Sequence, residues 1–111
     1  MDSPITSTVL ADLTTSVEIP KEGTLSRVLY KDDHIRLVVF AFDTGQELTD
    51  HTAGVPITIH LVSGRMELTA GNDHSEIDNK AWVHIPAGMT HAVTALEPTI
   101  MVLTLLKGTS G

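Results

Sequence analysis

Over much of this chain apolar and polar residues alternate in short runs broken by Gly, Pro, Asn and Asp. That is the period of a β-strand, whose successive side chains point to opposite faces. Strands are predicted over residues 24–30, 34–43, 57–63, 65–70, 75–77, 81–86, 90–95 and 99–107. Lys31-Asp32-Asp33, Gly64, Gly71-Asn72-Asp73 and Ala87-Gly88 supply turns between them. Thr44-Gly45-Gln46 opens a loop that leads to His51. Upstream the chain is polar and mixed as far as the breaker Pro20-Lys21-Glu22-Gly23, and a short helical turn or an extended arm fits Thr8 to Thr14. The division expected is an N-terminal arm, residues 1–23, and one β domain, residues 24–111. Short strands at this spacing predict an all-β sandwich or barrel.

Two runs depart from the alternation. In HIRLVVFAFD, Leu37, Val39 and Ala41 share one face, and Val38, Phe40 and Phe42 the other. In TIMVLTLLK, Ile100, Val102 and Leu106 flank Thr104 on one face, and Met101, Leu103 and Leu105 form the other. A strand with one wet face is polar at every second position, so these two are predicted to be buried on both sides. One face fills the interior. The other needs a cover, and a second copy of the chain supplies one, so a homodimer is expected. The alternative is that the arm folds back over the same surface.

Composition narrows the class. A chain of 111 residues with 41% hydrophobic and 19% charged residues has the make-up of a single globular domain. Seven basic against 14 acidic residues give a formal charge of -7, which disfavours nucleic acid and anionic membranes as partners. There is no apolar run of about 20 residues to span a bilayer and no secretory leader pattern at the N-terminus, so a soluble, cytoplasmic protein is expected. With no cysteine and six histidines, a metal ion would have to be held by His, Asp, Glu and water. Phosphate-cradling loops, dinucleotide fingerprints and nucleophile elbows are absent from the sequence.

Two stretches carry more information. Gly45 is followed after five residues by His51, and Gly64 lies thirteen beyond it. Further on, WVHIPAGMTHAV contains Pro86, Gly88 and His91 at Pro-x-Gly-x-x-His spacing. Together they resemble the two motifs of the small single-domain cupins, over roughly residues 34 to 107. The resemblance implies a cupin-type double-stranded β-helix, a jelly-roll barrel. It also implies a divalent ion (Fe, Mn, Ni or Zn) held by histidines of both motifs and a glutamate of the first. His51 and His91 match that set. Ala53 stands at the second histidine position, Ile57 or Thr58 at the glutamate, Lys80 at the first glycine of the second motif, and Ala95 at its closing Asn.

The candidate metal ligands are therefore His51, His91 and, as a third imidazole, His60. His60 has a parity obstacle. If Ile57, Ile59 and Leu61 face inward, His60 faces outward, unless a bulge near Val55-Pro56 reverses the alternation. His84 is read as structural, and His34 and His74 as solvated. Met89 is read as packing, Trp82 and Tyr30 as core aromatics that could instead floor a pocket, and Arg65 with Glu67 as a surface pair. Three functions are open at this point. One is a metal-dependent enzyme of the oxygenase, isomerase or decarboxylase kind, acting on a small organic substrate. The second is a non-catalytic small-molecule-binding or sensory module without metal. The third is a metal-free sugar-modifying cupin with Tyr30 as acid.

Overall fold

The computed structural model describes residues 5–108. Nine strands form two antiparallel sheets: β1 (Thr24–Lys31), β2 (Ile35–Phe42), β3 (Glu47–His51), β4 (Ile57–Ser63), β5 (Arg65–Ala70), β6 (Asp73–Asp78), β7 (Trp82–Ile85), β8 (His91–Ala95) and β9 (Thr99–Leu106). The five-stranded sheet runs β1-β2-β9-β4-β7 and the four-stranded sheet β3-β8-β5-β6. This is the all-β, jelly-roll architecture that the strand spacing and the two motifs predict. Eight of the nine strands lie where the hydrophobic pattern puts them. The ninth, β3, falls in the expected loop. Glu47, Thr49, Asp50 and His51 are polar and exposed, and Leu48 is the one apolar residue among them, so no alternation announces it.

The sheets face each other across one apolar core. Phe42 of β2, Ile57, Ile59 and Leu61 of β4, and Met101 of β9 meet Met66 of β5 and Val93 of β8 there, all nearly free of solvent contact. Each such side chain stabilises the fold by roughly 1.5–3 kcal/mol through the apolar surface it removes from water. The opposite face of β2 and β9 forms a second cluster, Val39, Ala41, Ile100 and Val102. Both faces of these two strands are thus buried.

The cover over the second cluster comes from the chain itself. Leu13, Val17 and Ile19 of the arm pack on it, with Val17 only 5% exposed, and a 3₁₀ turn at Leu13–Thr15 aims them. Arg27 of β1 donates to the Ser16 carbonyl at 3.1 Å and ties the arm down. Leu25, Trp82 and Leu106 remain open on the five-stranded sheet of a single copy. No helix among the described residues is long and apolar enough to cross a membrane.

Two local features set the register. Gly64 links β4 to β5 with φ +92°, and a Cβ there would lie 2.3 Å from Thr99 Oγ1 and 2.5 Å from the Pro98 carbonyl oxygen. Only glycine admits both that backbone and that approach. At the β1–β2 turn, Asp32 accepts from the Tyr30 hydroxyl at 2.7 Å and from the amides of His34 and Ile35. These hydrogen bonds, the one from Tyr30 foremost, hold its carboxyl at about 2, against an ordinary 3.8.

Gly64→Ala is expected to cost more than about 2 kcal/mol in a urea melt, from strain and overlap at one atom. Unchanged stability would refute the close approach. Because the Asp32 pKa is depressed on folding, its contribution is present above 3.8 and lost as pH falls towards about 2. Asp32→Asn is expected to lower the melting temperature at neutral pH, and the gap from the unaltered protein to close through that acid window.

Candidate functional site

His91 opens β8, and the turn before it fixes its position. Pro86-Ala87-Gly88 reverses the chain, with Gly88 at φ +81° and the Met89 amide donating to the Pro86 carbonyl at 3.3 Å. The Gly88 amide donates to the Ala53 carbonyl at 2.9 Å, which ties this turn to the segment following β3. The two motif regions are joined at that hydrogen bond.

His51 ends β3 directly opposite His91. A β-bulge aims it. Leu48 pairs with Val93, and the next registered pair is His51 with His91, so three steps along β3 oppose two along β8. In a regular strand Asp50 would share the inward face of Leu48, and His51 would point away. The extra residue returns His51 to the inner side. The two rings meet edge to face, with centroids 5.6 Å apart and planes at 80°.

Both imidazoles border a cavity of about 130 Å³ between the sheets. Val38 and Phe40 of β2 form one wall, and Leu103 and Leu105 of β9 continue it. Leu48, Ala53 and Ile57 complete the lining, and no charged side chain contributes. His91 is 3% exposed, whereas His51 is solvent-accessible at the mouth. Nδ1 of His91 donates to the Met89 carbonyl oxygen at 3.2 Å. A carbonyl only accepts, so the proton sits on Nδ1, and in the neutral ring Nε2 carries a lone pair. That Nε2 is buried and has no hydrogen-bond partner among the described residues.

The third expected ligand, His60, does not join this pair. Ile57, Ile59 and Leu61 are buried and inward, and the register from Ile57 to His60 against β7 runs without a bulge, so His60 faces outward and is exposed. Its Nδ1 donates to the Ala81 carbonyl at 3.1 Å. The break in β4 comes only after Leu61, too late to turn it. Trp82, expected in the core, lies opposite His60 on the same outer face, 68% exposed and stacked on His84. Tyr30 bonds Asp32 and lines a different hollow, of about 390 Å³, between the arm and β1, β2 and β9, not the one beside His51 and His91. Arg65 pairs across the hairpin with Glu76 at 3.0 Å rather than with Glu67. Leu48 and the cavity are not legible in the sequence, because β3 reads as a loop. The one available signal was a lone apolar residue among polar ones.

The donor set bears on the ion that the resemblance implies. An imidazole nitrogen binds zinc at about 2.0–2.1 Å, which puts two rings on one tetrahedral ion roughly 5 Å apart, centre to centre. The spacing of His51 and His91 is close to that, and anchoring through Nδ1 is how a ligating histidine is usually oriented. The positions for the missing ligands do line the cavity, but as Ala53 and Ile57. Among the described residues no group of three or more His, Cys, Asp or Glu side chains is placed to hold one ion. Catalytic sites ordinarily use three protein ligands, so the residues present do not fit a firmly held metal.

No family model matches the sequence, and no curated protein matches it. Solved structures do. The chain is similar to a conserved protein of unknown function from Streptococcus pyogenes, at 29% identity and TM-score 0.82, over 96% of this chain and 93% of that one. It is also similar to a cupin superfamily protein from Desulfitobacterium hafniense, at 18% identity and TM-score 0.81, over 86% and 88%. An RmlC-like cupin protein from Desulfovibrio desulfuricans matches at 19% identity and TM-score 0.81, over 91% and 98%. The strand order, the two glycine-marked turns and these likenesses agree: the chain has the cupin fold, a small double-stranded β-helix.

Proposed function

We propose that this barrel binds a small organic molecule in the cavity bordered by His51 and His91. The observation that carries the reading is the apolar cavity of about 130 Å³ between the sheets, with the two imidazoles at its border. A second reading is a divalent ion held by the two imidazoles and completed by water, and the ring spacing of 5.6 Å favours it. The oxygenase, isomerase and decarboxylase chemistries belong to that second reading. A sugar-modifying role with Tyr30 as acid is not proposed, since its hydroxyl is committed to Asp32 away from the cavity.

Three measurements bear on this. His91→Leu removes a buried nitrogen with no partner among the described residues, against the loss of the bond to Met89 and the edge contact with His51, so the variant is expected to melt no lower than the unaltered protein. A loss of several degrees would mean that Nε2 has a partner. A fragment screen by ligand-observed NMR is expected to find small apolar binders that Leu103→Trp, which fills the cavity, displaces. A screen with no such binder would overturn the reading. Dialysed, untagged protein is expected to carry far less than one equivalent of Fe, Mn, Ni or Zn. A stoichiometric ion released by both His51→Ala and His91→Ala would put the metal reading in its place.

A further inference from the structure

We propose that a second copy of this chain docks on the outer face of the five-stranded sheet, each copy burying its Trp82 in the hollow between the other's arm and β2. This surface is separate from the cavity beside His51 and His91. The arm covers only part of it. Along β9 the arm packs over Ile100 and Val102, whereas Thr104 lines the hollow and Leu106 is open. The strand register carries that open band across the sheet, from Leu37 through Thr104 and Thr58 to His84. At one end of the band Trp82 projects beside His84, with 68% of its surface exposed. At the other end lies the hollow of about 390 Å³, walled by Leu10 and Leu13 of the arm and by Ile35 and Leu37 of β2.

One face thus carries both a projecting indole and an unfilled apolar hollow. They lie three strands apart, roughly 14 Å at the usual strand spacing. With two such faces opposed, a two-fold axis between them, close to the strand direction and over the gap between β9 and β4, sets β7 of one copy over β2 of the other. Each Trp82 then meets the other's hollow, the reciprocal contact of a dimer that closes at two. Size agrees. The hollow has over twice the volume of about 150 Å³ that holds benzene, enough for an indole. Hydroxyls of Thr8, Tyr30 and Thr104 on its lining offer acceptors for the indole N–H.

Area and charge select a second copy as the occupant. A single copy exposes 7040 Å², whereas a compact monomer of 11.9 kDa exposes about 6,000 Å². The excess, about 1,000 Å², matches the roughly 800 Å² that each partner gives to a standard interface. Val9 of the arm, 80% exposed between the lining residues Thr8 and Leu10, belongs to it. Copies of net charge -7 repel, so they meet most readily where acid is absent. The band from Leu37 to His84 and the pair His60 and Trp82 contain no Asp or Glu. The outer face of the smaller sheet, by contrast, lines up Glu47, Glu67 and Glu76 across Thr94.

Trp82 is the chain's single tryptophan, so its emission reports on this surface alone. Sedimentation of the full chain across a wide concentration range is expected to show a species of twice 11.9 kDa. As it forms, tryptophan emission should move to the blue and become shielded from acrylamide. Trp82→Ala, at an exposed position, is expected to keep the fold by circular dichroism and to weaken association at least about thirtyfold, as loss of a buried interface aromatic does. Thr104→Arg puts a charge in the hollow and should leave a monomer with Trp82 exposed. If that variant does not fold, Trp82→Ala and the emission of the unaltered chain decide. A chain that stays monomeric at every concentration would overturn the proposal. So would a dimer in which Trp82 remains open to acrylamide, since another surface would then hold it together. A monomer that takes up naphthalene in the hollow, displaced by Thr104→Arg, would give that space to a small ligand instead.

Discussion

The pairing of β2 with β9 is the constraint on which the rest hangs. Eight consecutive registered pairs, Ile35 with Leu106 through Phe42 with Thr99, put two apolar strands side by side at the centre of the larger sheet. Their inner faces supply the wall of the core and of the cavity. Their outer faces, Val39 and Ala41 with Ile100 and Val102, are what the arm packs against. A strand apolar on both sides cannot lie at a wet surface, so this pair dictates both that a second sheet lies across it and that something lies behind it.

The site is built at the margin of that core. There the apolar wall of β2 and β9 meets the polar edge strand β3. His51 and His91 come together because β3 and β8 pair, and they face the cavity because of one extra residue in β3. The turn carrying Gly88 contributes at a distance, through its hydrogen bond to Ala53, by holding the start of β8 against the end of β3. Apolar Ala53 and Ile57 at inward positions make the result an apolar hollow bordered by two imidazoles rather than a ring of ligands. A larger apolar hollow of about 390 Å³ lies between the arm and the outer face of β2 and β9, lined by Leu10, Leu13, Tyr30, Ile35 and Leu37, and holds no histidine. The one on the β5–β6 hairpin, about 220 Å³, has its polar groups engaged, His74 with Thr69 and Glu76 accepting from Arg65.

The arm shows how a patterned surface admits more than one cover. Two-sided apolar strands say that both faces are buried, but not by what. Val17 and its neighbours satisfy part of that demand at local cost, since residues 13–19 connect to β1 through a short turn. Leu25, Trp82 and Leu106 lie beyond its reach.

Much of this was legible in the chain before any coordinates. Strand positions, two-sided burial of β2 and β9, the turn glycines and the spacing of His51 and His91 all follow from local periodicity and from residues whose backbone demands are their own. What tertiary structure decided was direction. His60 and His51 both sit in or beside strands, yet one faces solvent and the other the cavity, because β4 runs regularly there and β3 carries a bulge. A bulge is a property of a strand pair, set by how two chains match across the gap, and no single run of residues encodes it. The same holds for the cavity beside His51 and His91, since its walls come from β2, β4 and β9, remote in sequence and adjacent only once the sheets close.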